Sequence, residues 1–134
     1  MATATQLNLR LDNELGKLAK LCRDLADGSV NLLALSAPES EGATGVVRLL
    51  VANPTVARNA LTRAGYSFEA EEVLFIELKN RPGALAKAAE KLHRAGIQIK
   101  YAYATAYQRA QKTAAVIAVP PGNFEEASRL FAGY

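Results

Sequence analysis

The sequence predicts an α+β fold made of two antiparallel βαββαβ units in tandem. Three observations predict it. The chain lies on itself at a shift of 67 residues, both copies pass through the same order of strand-like and helix-like apolar periods, and an Asn-x-x-Gly loop recurs between them. Over residues 11–36, seven of 26 positions are identical at that shift: Leu11, Asn13, Gly16, Leu18, Ala19, Lys20 and Leu25. Ordinary composition gives about two.

In the first copy, Leu7, Leu9 and Leu11 alternate with Gln6, Asn8 and Arg10, which predicts a half-buried strand. Leu18, Leu21, Cys22 and Leu25 then recur at helical spacing, and Asp27-Gly28-Ser29 stops that helix. Strands are expected at 30–35 and 46–51, with a turn rich in Gly, Ser and Glu between them. Asn53-Pro54 opens a second helix that turns Val56, Ala57, Ala60 and Leu61 inward, and 66–70 can form a fourth strand.

The second copy repeats the pattern. A strand is expected at 73–78, then a helix with Leu85, Ala88, Ala89 and Leu92 inward, strands at 97–103 and 114–119, and a helix over about 123–131. Asn53-Pro54 falls on Pro120-Pro121 with no gap, and Ser67 falls on Tyr134. This is the ferredoxin-like order, an antiparallel sheet with both helices on one face. The expected domains are 1–71 and 72–134, the second lacking its last strand. A sheet edge so exposed needs cover or a partner, such as a shared strand running from Ser67 into Leu78. Leu33, Leu35 and Leu50, and in the second copy Phe75, Ile117 and Val119, are assigned to the sheet face away from the helices. That face is too apolar for water, which predicts packing against another copy and a homo-oligomer, a dimer being the simplest.

Composition removes several function classes. The 134 residues are half hydrophobic and 22% charged, as in a globular protein, with sixteen Lys and Arg against thirteen Asp and Glu. A net charge of +3 is too small to imply nucleic acid. One Cys and one His leave no disulfide framework and no expected metal site or cofactor. No apolar run approaches membrane-spanning length, and Met1 to Gln6 does not read as a secretory signal, so a cytoplasmic protein without membrane contact is expected. No catalytic constellation is visible. His93 reads as a surface helix residue, Cys22 as a small core residue, and Glu69, Glu71 and Glu72 as solvated charges beside an apolar strand.

The informative feature is the loop before the first helix of each copy, Asn13-Glu14-Leu15-Gly16 and Asn80-Arg81-Pro82-Gly83. Glycine permits positive φ, and Pro82 suits a first helical turn. The N–H groups that follow can hold a carboxylate or phosphate, and the Asn amide offers both a donor and an acceptor. The same residues also suit a plain helix start.

That loop, with Ala84-Leu85-Ala86-Lys87 and the later Gly96-Ile97-Gln98-Ile99, resembles the ACT domain family. The first copy, through Val30-Asn31-Leu32, resembles a looser member. The resemblance covers nearly the whole chain and implies a free-standing pair of regulatory modules, not an enzyme. It implies a small ligand, an amino acid or a relative, bound where two such modules meet. The positions it implicates are Asn13, Glu14, Leu15, Gly16, Asn31 and Leu32 in the first copy, and Asn80, Arg81, Pro82, Gly83, Ala84 and Gln98 in the second. Leu11 and Leu78 stand where some serine-binding members carry His. Leu15 stands where the second copy has Pro82, so the two sites are expected to be unequal.

Other readings remain open. The module could serve dimerisation alone, with a vestigial pocket. It could bind RNA through Tyr101, Tyr103 and Tyr107 near Lys100, Arg109 and Lys112, although the expected phase of Tyr101 and Tyr103 turns them toward the helices and the RNA-module aromatic motif is absent. It could be a small acylphosphatase-like hydrolase using Arg81 and Asn80.

Overall fold

A computed structural model describes residues 2–134. The chain forms two compact units, one made of Thr5–Glu71 and the other of residues 2–4 with Glu72–Tyr134. The elements in order are β1 (Thr3–Asp12), α1 (Lys17–Asp27), β2 (Leu32–Ser36), β3 (Thr44–Val51), α2 (Pro54–Arg63), β4 (Glu69–Lys79), α3 (Ala84–Arg94), β5 (Tyr101–Thr105), β6 (Lys112–Ala118) and α4 (Phe124–Leu130). No helix is long and apolar enough to cross a membrane among the described residues.

In the first-repeat unit, β3 lies between β2 and β1, antiparallel to both. Leu7 opposes Leu49 and Leu9 opposes Val47. These residues share one face with Leu21 and Leu25 of α1 and Ala57 and Leu61 of α2, forming a single core. Each of those helix residues is at most 1% exposed. The two helices approach closely at Gly28, where a Cβ would sit 2.5 Å from the Cβ of Ala60. The chain leaves α1 through Ser29, a non-glycine residue at φ 62, with Val30 N–H donating to Leu25 C=O at 2.9 Å. Gly96 and the Ile97 to Leu92 bond repeat this stop after α3. Asn53 caps α2, its Oδ1 accepting from the N–H groups of Thr55 and Val56.

In the second-repeat unit, β6 lies between β5 and β4, again antiparallel. Leu74, Ile76, Leu78, Ala115, Ile117 and Val119 meet Ala88 and Leu92 of α3 and Ala127 and Phe131 of α4 in the second core. The closing edge is not empty. Ala2 is buried in this core, and Phe75 N–H donates to Ala2 C=O at 2.8 Å. The expected shared strand exists as β4, one unbroken strand from Glu69 to Lys79.

The ungapped repeat does not hold beyond the first helix, and this corrects several faces. In the first copy, paired residues of β1 and β3 include Leu7 with Leu49. In the second, Leu74 pairs with Ile117, one residue later than a 67-residue shift requires. The same extra residue shows at the hairpin, where Asn13 N–H meets Ala43 C=O but Asn80 N–H meets Gln111 C=O. A one-residue slip moves every side chain of a strand to the other face. Ile117 and Val119 therefore lie on the helix side, and Val116 and Ala118, 2% and 0% exposed, face away. A 3-10 turn at Pro121–Asn123 delays α4 further, so Ala127 and Phe131 take the places of Ala57 and Leu61.

Two more expectations are overturned by irregular backbone. A bulge between Leu32 and Ala34 returns Leu35 to the core side, leaving Leu33 exposed. Residues 97–100 are not strand, and β5 begins only at Tyr101. Tyr101 and Tyr103 pair with Ala118 and Val116, so they lie on the face away from the helices, half-buried. Leu18 and Leu85, expected inward, are instead exposed.

Replacing Gly28 with Ala forces α1 and α2 apart, because both atoms in the 2.5 Å contact sit on rigid backbone. Urea denaturation of Gly28→Ala should show a loss of about 1–3 kcal/mol, as overpacked cores do. The same change is already present in the second copy, where Ala95 follows α3.

Candidate functional site

The two strand–helix loops are built alike from different sequences. Gly16 and Gly83 precede their helices at φ 88 and φ 87, and neither helix has a side-chain cap. A residue with a Cβ is strained in that left-handed conformation. The Asn at the head of each loop is a clamp. Asn13 Nδ2 donates to the carbonyls of Ser40 at 3.2 Å and Gly42 at 3.4 Å, and its N–H donates to Ala43. Asn80 Nδ2 donates to Tyr107 at 3.1 Å and Ala110 at 2.8 Å, and its N–H donates to Gln111. Each loop is thereby tied to the hairpin of its own unit.

The clamp leaves useful groups over. With both amide hydrogens engaged, the Oδ1 of each Asn stands as an acceptor. In each helix the N–H groups of the first turn have no carbonyl four residues back. In α1, Lys17 N–H finds Glu14 C=O at 3.3 Å, and in α3, Ala84 N–H finds Arg81 C=O at 3.3 Å. The next two N–H groups, of Leu18 and Ala19 and of Leu85 and Ala86, face outward from helix starts free of acidic side chains.

The strand-opening residues lie elsewhere in each unit. Asp12 opposes Thr44 while Leu32 opposes Val51, seven residues along β3, a separation of about 23 Å. Asn13 and Asn31 of one unit therefore cannot hold one small ligand between them. Asn80 and Gln98 are separated in the same way, since Lys79 opposes Lys112 and Lys100 N–H reaches Ala118. Asn31 is exposed, and the Gln98 amide donates to Ile99 C=O. Leu15 is fully exposed, and Asn13 and Glu14 border a cavity of about 150 Å³ with Pro38 and Ser40.

Each unit also has a cleft where its first-strand end, first-helix start and second-helix exit converge. In the first-repeat unit it measures about 220 Å³ and is lined by Arg10, Asp12, Lys17, Lys20 and Tyr66. In the second it measures about 380 Å³ and is lined by Lys79, Arg81, Ala84, Lys87, Lys112 and Tyr134. Of these, the sequence pointed to Arg81 and Ala84 as ligand positions and to Lys112 only in the RNA-binding alternative. Charge at positions 67 residues apart was the signal available. Glu71 was also read as solvated, yet it is half-buried and accepts from Asn8 Nδ2 at 2.8 Å, with the buried Gln6 donating to Asn8 in turn. His93 is exposed and Cys22 half-buried.

Tyr66 is held in place at the first cleft. Its hydroxyl donates to Asp24 Oδ2 at 2.8 Å, and Lys20 Nζ reaches the same oxygen at 2.9 Å. Lys20 and then Tyr66 hold the Asp24 carboxyl below the usual carboxylate value. Burial, and then Asp24, push the Tyr66 hydroxyl up to about 12.

Two units, each a sheet with two helices and the same loop clamp, make up a tandem-repeat α+β fold. The chain belongs to the ACT domain pair family, whose pattern matches residues 2–118. Protein BT0572 from Bacteroides thetaiotaomicron is similar over 98% of this chain and 88% of its own, at 30% identity and a TM-score of 0.86. The ligand-free regulatory subunit of aspartate kinase from Thermus thermophilus is similar over 98% and 92%, at 17% identity and a TM-score of 0.67. Aspartokinase III of Escherichia coli, solved with lysine and aspartate, is similar over 98% of this chain and 32% of its own, at 18% identity and a TM-score of 0.53. The last two likenesses are of fold. No curated protein matches the sequence. Family membership supports a regulatory ligand-binding role.

Two outcomes follow from this geometry. Asn80→Asp keeps the shape but points a carboxylate at the carbonyls of Tyr107 and Ala110. Thermal and urea unfolding should show a loss of about 1–3 kcal/mol. For Tyr66, a folded pKa above the ordinary 10 means the folded state holds its proton longer. Its contribution is fully present below pH 10 and is lost as pH rises toward about 12. In Tyr66→Phe that alkaline loss should be smaller, and ultraviolet titration should lose a phenol that ionises near pH 12.

Proposed function

We propose that this protein is a regulatory sensor of an amino acid or a close relative, working as a homo-oligomer, with ligand sites at the strand–helix loops where two ACT units meet. The observation that carries the reading is the duplicated clamp. In both repeats an Asn side chain spends its two N–H groups on the hairpin, which leaves its Oδ1 over, and the helix that follows the loop has no side-chain cap. An α-amino acid offers the complementary pair of groups. Its ammonium would donate to the Asn oxygen, and its carboxylate would accept from the helix amides.

The partner half of each site would come from the strand-opening residues of a neighbouring unit, Asn31 with Leu32 and Gln98. They are too far from the loop of their own unit to share a ligand with it. Aspartokinase III of the same fold was solved with two amino acids, which supports the ligand class. A ligand bridging two units favours the packing that it fits, by its differential affinity alone. That change is what a regulated partner protein would read.

Thermal unfolding and calorimetry against the twenty amino acids test the reading. At least one should raise the melting temperature, since a ligand that binds only the folded state must stabilise it. Asn31 makes no side-chain hydrogen bond with a described residue, so Asn31→Ala should unfold like the wild type yet bind at least about tenfold more weakly, a difference of ~1.4 kcal/mol. Unchanged affinity in both Asn31→Ala and Gln98→Ala would place the ligand elsewhere. No stabilisation by any amino acid leaves the dimerisation-module reading.

A further inference from the structure

The two clefts are equivalent in the repeat and unequal in charge. Around the first stand Arg10, Asp12, Lys17 and Lys20, with Asp24 paired to Lys20, three cations against two carboxylates. At the positions 67 residues on, the second is lined by Glu77, Lys79, Arg81, Ala84 and Lys87, three cations against one carboxylate. Asp12, Glu14 and Asp24 are each replaced by a cation. Lys112 adds a further one to the second cleft.

The charges are also differently committed. In the first-repeat unit Lys20 is paired with Asp24 at 2.9 Å. In the second, Lys87 has Lys91 four residues on instead of a carboxylate. Lys91 Nζ turns to Leu130 C=O at 3.0 Å and lies over the rings of Phe131 and Tyr134 at 5.6 and 5.1 Å, which sets Tyr134 as a wall of the cleft. Glu77 reaches only Lys112, at 3.6 Å. Lys79, Arg81 and Lys87 border one space of about 380 Å³ with no carboxylate partner among the described residues. Uncompensated like charges around a common cavity repel, and a small anion between them relieves that repulsion.

We infer that the cleft of the second-repeat unit, between Lys79, Arg81, Lys87 and Lys112, binds a small ligand with two anionic groups or a multiply charged one, a dicarboxylate or a phosphate. The first-repeat cleft, where Asp12 stands in the wall and Asp24 holds Lys20, has this preference only weakly. The inference rests partly on the proposed sensing role, because it supplies a ligand class for one of its two repeats, and it also stands as an anion site in its own right. The cations are exposed, so the attraction is screened by salt.

The test uses the full chain labelled with nitrogen-15 and three probes: L-glutamate, its uncharged-side-chain counterpart L-glutamine, and inorganic phosphate. Glutamate and phosphate should shift the amides of residues 79–87 at low salt and leave those of residues 12–20 nearly still, with binding weakened at least fivefold at 0.5 M sodium chloride. The double variant Lys79→Asp with Arg81→Glu carries the charges that the first repeat has. It should bind both anions at least tenfold more weakly, and Lys87→Ala, a milder change, at least threefold. Glutamine and glutamate binding alike, indifferent to these variants, would overturn the anion inference and leave the amino-acid reading standing. Phosphate bound and lost as described, with no amino acid bound, would uphold the anion site and remove the amino-acid reading. No shift of residues 79–87 with any probe sinks the inference outright.

Discussion

The candidate sites depend on two side-chain amides. A turn from a sheet into a helix leaves backbone donors and acceptors that must be paired somewhere. Here Asn13 and Asn80 pair the hairpin carbonyls that would otherwise face solvent at the sheet end, and in doing so they fix where each helix begins. The glycine three residues later then reverses the chain in a conformation that no other residue adopts cheaply. Everything that could recognise a ligand nearby, from the free amide oxygen to the first-turn N–H groups, inherits its position from that clamp. The Asn is thus neither a helix cap nor simply a ligand donor. It caps nothing in α1 or α3, and its structural task uses only its nitrogen.

Local requirements were legible in the sequence, and non-local ones were not. The Asn and Gly of each loop stood out because their conformational roles need no knowledge of the rest of the fold. The hairpin carbonyls that Asn80 binds lie 27 and 30 residues away, and no pattern at the loop announces them. Element order was likewise readable, because strand and helix periods are local. The strand completing the second-repeat core was hidden, since Ala2 sits in a stretch of alternating Ala and Thr with no large apolar residue to mark it. Small side chains pack well beside a strand edge and carry almost no periodic signal.

The face assignments show how a correct repeat can mislead. Identity between the copies is concentrated before residue 36, and the shift of 67 is true there. One extra hairpin residue and a 3-10 turn then change the offset, and apolar residues such as Leu50 and Ile117 still align without sharing a face. Because β3 and β6 are apolar on both faces, composition does not reveal the slip. Only the pairing register does. On the faces away from the helices Val116, Ala118 and Leu50 are buried, while Leu33 is exposed.

Duplication separates what holds the loop from what surrounds it. The side chains that fix the loop point at the hairpin and are the same in both copies, Asn with Asn and Gly with Gly. The charged side chains that border the cleft carry no such duty, and there the copies part, as in Asp12 against Lys79. An exposed charge contributes little to folding stability, so its reversal leaves the scaffold almost untouched. The same reversal changes the potential inside a cavity of a few hundred cubic ångströms far more, because several charges act on one small volume. Two copies of one fold can therefore keep one geometry and present two different electrostatic surfaces, with no compensating change in either core.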